Sequence, residues 1–163
     1  MKNKNLLKLF FVSTLFIIAC KADVGKKYVE KNKEIDLLLS SVSNLKNDSK
    51  YDNFKEYKDK INKLTKSLKD VSDAELKEKL LKLQSLFQDK LAAKLAALKA
   101  AKQRIEGFSD KDKEKEKIWK EAKLVGVTIK FSGSNTAGKG AEMSKEAVEQ
   151  IDKIIKFLEE GTN

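Results

Sequence analysis

Apolar residues recur at steps of three and four through most of this chain, and turn-forming residues separate the stretches. Tyr28, Ile35, Leu38, Val42 and Leu45 predict a first helix over about 28–46. Asn47-Asp48-Ser49 supplies turn and cap chemistry. Phe54, Tyr57, Ile61, Leu64 and Leu68 predict a second helix ending near Lys69. The longest stretch, Ser72 to Glu106, carries Leu76, Leu80, Leu83, Phe87, Leu91, Leu95, Leu98 and Ile105 on one side. Its interior has no Gly, Pro or Asn. Ser72 and Glu75 match a capping box, Val71 and Leu76 a hydrophobic staple, and Gly107 marks the stop. Ala92, Ala93, Ala96 and Ala100 gather on the other side of the second half. That predicts a helix flanked on both faces; an alanine face present only for propensity is the alternative.

After it, Ser109-Asp110-Lys111-Asp112 repeats the cap pattern, and Ile118, Ala122 and Val125 form a narrow apolar face ending at Gly126. Trp119 stands beside that face; its expected place is one end of the core, against the alternative of a binding hot spot. Val127, Ile129 and Phe131 alternate with Thr128 and Lys130, which predicts a short extended connector. Residues 132–142 (SGSNTAGKGAE) read as a glycine-rich loop. The last helix is expected from Ser144 to Gly161, burying Val148, Ile151, Ile155 and Leu158. The fold class is therefore all-α: an elongated bundle of four to five helices around one long central helix. A short extended segment and the Gly-rich loop precede the last helix, and residues 28–163 form one domain.

Composition adds the partner question. Charged residues are 37% of 163, the formal charge is +10, and proline and histidine are absent. The N-terminus narrows the answer. Lys2, Lys4 and Lys8 precede an apolar run over 9–18, and Ala19-Cys20 follows. A basic region, a short apolar region and a small residue before the only cysteine match a lipoprotein signal, cleaved before Cys20. Residues 1–19 are thus read as the signal and 20–27 as a lipidated tether, with Cys20 the lipid attachment site. Cleavage removes three lysines and no acid, taking +10 to +7. Export lowers the expectation of nucleic-acid or nucleotide partners. Residues 21–27 span roughly 25 Å at most, so the folded part is expected close to its membrane.

No catalytic constellation emerges. Without histidine, and with Cys20 lipidated, Ser-His and Cys-His nucleophiles and Cys/His zinc sites are out of reach. Carboxylates alternate with lysines, as in the i,i+4 pairs Glu75–Lys79 and Glu78–Lys82. Gly133 to Lys139 matches G-x-x-x-x-G-K, but the next residue is Gly140 where a P-loop needs Ser or Thr, and the helix is expected to start later. The reading is no enzyme, no cofactor and no metal. The most basic run holds Lys90, Lys94, Lys99, Lys102 and Arg104, with no acid between Asp89 and Glu106. These five are the candidate partner-binding residues, as a docking face for an acidic partner or a sulfated polysaccharide. Their spread over more than half the helix circumference also fits a solvated flank, with lysine stems lying over the leucine stripe.

Long contiguous blocks resemble the Rev surface lipoproteins of the Lyme-disease Borrelia. They are residues 8–13 (KLFFVS), 75–81 (ELKEKLL), 87–102 (FQDKLAAKLAALKAAK), 123–128 (KLVGVT), 147–153 (AVEQIDK) and 157–163 (FLEEGTN). The charged segment after Gly107 and the Gly-rich loop look more divergent. The resemblance implies an outer-surface lipoprotein, lipid-anchored in the outer membrane, that binds host fibronectin and also laminin. Only Cys20 carries over as a site residue. The chain has no long segment able to add strands to successive fibronectin modules, so recognition by a folded surface is expected, with the Gly-rich loop as an adaptable edge. Two rivals stay open: a binder of complement regulators or plasminogen, and a structural lipoprotein with no host ligand.

Overall fold

The structure is a computed structural model that describes residues 28–130 and 137–160. The signal, Cys20, the tether, Phe131 and residues 132–136 of the Gly-rich loop lie outside the described residues. Within them the chain is all-α, with five helices and no strand: α1 (described from 28 to 43), α2 (Tyr51–Ser67), α3 (Ala74–Gly107), α4 (Lys115–Leu124) and α5 (Gly140–Glu160).

Helix α3 is the spine. Its 34 residues span roughly 50 Å. Its cap is one residue later than the capping box predicts: Asp73, not Ser72, accepts the Leu76 amide at 2.9 Å. The buried row is Leu76, Leu80, Leu83, Phe87, Leu91, Lys94, Leu98, Ala101 and Ile105. Leu95 is only half-buried. The two-faced expectation fails, because Ala92, Ala93 and Ala96 are exposed and Ala100 is half-buried. Those alanines contribute helix propensity rather than a second packing face. Gly107 is the last helical residue but adopts no left-handed turn. Lys111 closes this end instead, donating to the carbonyls of Ile105 and Glu106.

Four shorter helices pack in pairs along the spine. In the first half, α1 runs parallel to α3: Lys79 bonds Asn32 at 2.7 Å, and Lys90 bonds the Ser43 carbonyl at 2.7 Å. Helix α2 returns antiparallel, with Gln84 Nε2 donating to Thr65 Oγ1 at 2.9 Å and Phe54 tilted against Phe87. Ile35, Val42, Phe54, Leu64 and Leu83 are fully buried there. In the second half, α4 and α5 both run antiparallel to α3. Arg104 meets Glu121, and Lys102 meets Asp152. Ile105, Ile118, Ala122, Ala147 and Ile151 close that core.

Two helices with the same direction need a connection that doubles back. Val125 and Gly126 begin it with a Schellman motif: the Val127 amide donates to Ala122 O at 2.9 Å and the Gly126 amide to Lys123 O at 3.0 Å. Gly126 has φ +69°, and a Cβ there would sit 2.5 Å from the Asp48 carbonyl oxygen. From Val127 to Lys130 the chain is neither helix nor strand, and burial alternates as the sequence pattern predicts, with Val127 and Ile129 buried and Thr128 and Lys130 exposed. Helix α5 then starts at Gly140, four residues before the expected Ser144, which lies buried one turn inside it. The cap comes from elsewhere in the chain: Asp112 Oδ1 accepts the Gly140 amide at 2.9 Å. A Cβ at Gly140 would stand 2.1 Å from the Lys111 carbonyl oxygen, so glycine lets the two backbones touch.

Candidate interaction surfaces

The five basic residues of the 90–104 run do not share a face. They reach α1, the α1–α2 turn, α4 and α5. Lys90 is half-buried and donates to the carbonyls of Ser43 and Leu45 at 2.7 and 3.0 Å, closing the C-terminal end of α1. Lys99 pairs with Glu159 at 2.8 Å. Lys102 pairs with Asp152 at 2.7 Å, and that hydrogen bond raises its pKa. Arg104 pairs with Glu121 at 2.8 Å. These contacts tie α3 to α1, α5 and α4.

Lys94 is not on the surface at all. It is 1% exposed. Its ammonium donates to the carbonyls of Asn47, Ser49 (3.1 Å) and Val125 (2.8 Å). A lysine has three donors, and here each meets one acceptor. The acceptors come from the α1–α2 turn and the end of α4, so Lys94 joins the two halves at the middle of the spine. Burial pushes its pKa down from 10.5 to about 8; the field of Asp48 opposes this. Sequence reading missed this role, although one signal was present: Leu91, Lys94, Leu98, Ala101 and Ile105 step by three, four, three and four. A lysine in phase with the buried row is a lysine whose head must find acceptors inside.

Trp119 also departs from its expected place in the core. It is 38% exposed on α4, with the Lys123 ammonium 4.7 Å from its ring centroid. Ile118 and Ala122 fill the core beside it. A second feature is an open groove of about 510 Å³ beside Lys130, lined by Lys130, Glu146, Glu149, Gln150 and Lys153. The Lys130 amide donates to the Glu146 carboxylate at 3.3 Å. Among the described residues no cluster of acids or thiols could hold a metal ion, and no helix is long and apolar enough to cross a membrane. Helix α5 does follow Lys139 directly, contrary to expectation, yet its first amide is already given to Asp112.

A family model described as Borrelia burgdorferi REV protein matches residues 1–160. The chain belongs to the Rev family. The crystal structure of a Rev protein from Borrelia burgdorferi is 66% identical to this Rev-family chain. It superposes with a TM-score of 0.77 over 81% of this chain and 97% of that one. Among curated proteins there is no match. At that identity and TM-score the two chains share one fold.

Proposed function

We propose that this Rev-family chain is an outer-membrane lipoprotein, anchored through Cys20 and exposed at the cell surface. It acts there as an adhesin for host extracellular matrix, chiefly fibronectin, with laminin as a second ligand. The observation that carries the reading is where the lipoprotein-type N-terminus meets the fold. Residue 28, eight positions after Cys20, already lies in α1, which runs parallel to α3 from the end where α3 starts. In this reading the anchor lies toward the end of the roughly 50 Å spine where α3 starts. The second half, with α4 and α5, stands away from the anchored end and is presented outward.

Recognition uses a folded helical surface. The lysines of the 90–104 run are engaged within the bundle, which favours a contact surface elsewhere on the outward half. The test is binding of the 21–163 chain to immobilised fibronectin, with laminin and albumin alongside, at low and physiological salt. Saturable binding to fibronectin that albumin does not show supports the adhesin reading. A chain that is helical by circular dichroism yet binds no more fibronectin than albumin overturns it. Palmitate labelling, present in the full chain and lost in Cys20→Ala, tests the anchor. Protease shaving of intact cells tests surface exposure: a chain degraded only after lysis would overturn it.

A further inference from the structure

We propose that the outer face of α4 around Trp119, Lys120 and Lys123 docks an acidic segment of a partner protein. The partner's carboxylates meet the two lysines and one of its apolar side chains covers the indole. The inference deepens the adhesin reading and rests on it for the natural partner.

Three observations place the surface. First, Trp119 is the only tryptophan, and it is turned outward although Ile118 and Ala122 beside it are fully buried. An exposed indole leaves apolar area for a partner to cover, and tryptophan is enriched where interfaces concentrate their binding energy. Second, the ring is already oriented. Lys123 holds its ammonium 4.7 Å from the ring centroid, a contact that strengthens when a partner excludes water. Third, the charges on α4 are sorted. Lys117 pairs with Glu114 at 2.7 Å and Glu121 with Arg104 at 2.8 Å, and just before the helix Lys113 pairs with Asp110 at 2.9 Å. Lys120 and Lys123 form no ion pair among the described residues. Glu116 is the one exposed acid on this face, a turn before Lys120. What faces outward is an aromatic ring flanked by two cations that form no ion pair among the described residues.

The same pattern selects the partner's chemistry. A linear polyanion such as a sulfated polysaccharide binds along a row of free cations. Here the row ends after one turn, because Lys113 and Lys117 are already paired. A compact patch of one aromatic and two cations fits a protein segment with carboxylates beside an apolar side chain.

The experiment has two arms on the folded 21–163 chain. In the first, binding to immobilised fibronectin is compared for the unaltered chain, W119A, K120E/K123E and the charge-matched control K63E/K66E on α2. W119A and K120E/K123E are expected to weaken binding about tenfold or more, and the control by less than about twofold. Equal binding by all four overturns the docking face and leaves the adhesin reading standing. In the second arm, the sole tryptophan reports directly. A tryptophan-free peptide of alternating Glu and Leu is titrated, with heparin in parallel. A saturable blue shift with the peptide, abolished in K120E/K123E, is expected whether or not fibronectin binds. No shift with the peptide, or a shift with heparin alone, overturns the proposal.

Discussion

At the scale of single residues, Lys94 shows how position in the helical repeat outweighs residue type. Its stem occupies a slot in the buried row, and its head is stabilised by three carbonyls rather than by a carboxylate. The folded pKa of about 8 lies below the 10.5 of an unfolded lysine. Between those values the unfolded chain binds more protons, so stability contributed at this site rises with pH from about 8 to about 10.5. Urea denaturation of the wild type and Lys94→Met across pH 7 to 10 reads this. The variant is expected to be less stable at pH 7 by about 2 kcal/mol, because three buried carbonyls lose their donor. The gap should widen toward pH 10 by up to roughly 3 kcal/mol. A flat gap would mean the ammonium is as well solvated as in the unfolded chain, and a narrowing one that the carbonyls hold the charge more strongly than water does; either overturns the lowered pKa.

At the scale of elements, helix ends carry most of the departures from expectation. The cap of α3 is local but shifted by one residue, so Asp73→Ala should cost about 1 kcal/mol and Ser72→Ala close to nothing. Thermal unfolding of the two variants separates the alternatives, and a reversed order would restore the Ser72 capping box. The ends of α4 and α5 depend on glycines pressed against distant backbone. Gly126→Ala must hold a left-handed conformation and also displace the Asp48 carbonyl. It should cost about 2 kcal/mol or more, and Gly107→Ala, which meets nothing within 4 Å, should be neutral or stabilising. Denaturation midpoints of the two variants check the pair.

At the scale of the whole molecule, the fold is two three-helix clusters that share one spine. α3 contributes Leu76 to Phe87 to the first core and Leu98 to Ile105 to the second, and Lys94 stitches the clusters where they meet. Tyr51 and Phe157 make a second stitch, edge to face at 5.1 Å. Two halves joined this way should unfold together. Trp119 fluorescence reports the second half alone, and far-UV circular dichroism reports all helices. The two urea transitions should coincide in the wild type. A separate, earlier fluorescence transition would mean that α4 and α5 detach on their own.

The repeat of apolar positions determined the all-α class, the order of elements and most of the core. On α5, however, it placed Val148 and Ile155 inside, where Met143, Ala147 and Ile154 are buried and those two are half-buried, because the neighbouring helices meet α5 on a face turned one position away. Leu38, Ile61, Leu83, Ile118 and Ile151 lie buried where their spacing put them. Long contiguous blocks determined the family. What spacing alone did not resolve is which partner a polar group finds across the bundle. Lys90, Lys94, Lys99, Lys102 and Arg104 read alike as a basic run, yet their acceptors lie 17 to 60 positions away in sequence. Only the packing of α1, α4 and α5 on α3 separates a buried junction from surface ion pairs. The same holds for Asp112 capping α5 and for Trp119 turning outward. Periodicity reports a side chain's phase on its own helix, whereas hydrogen-bond partners and exposure depend on what the other helices bring to that phase.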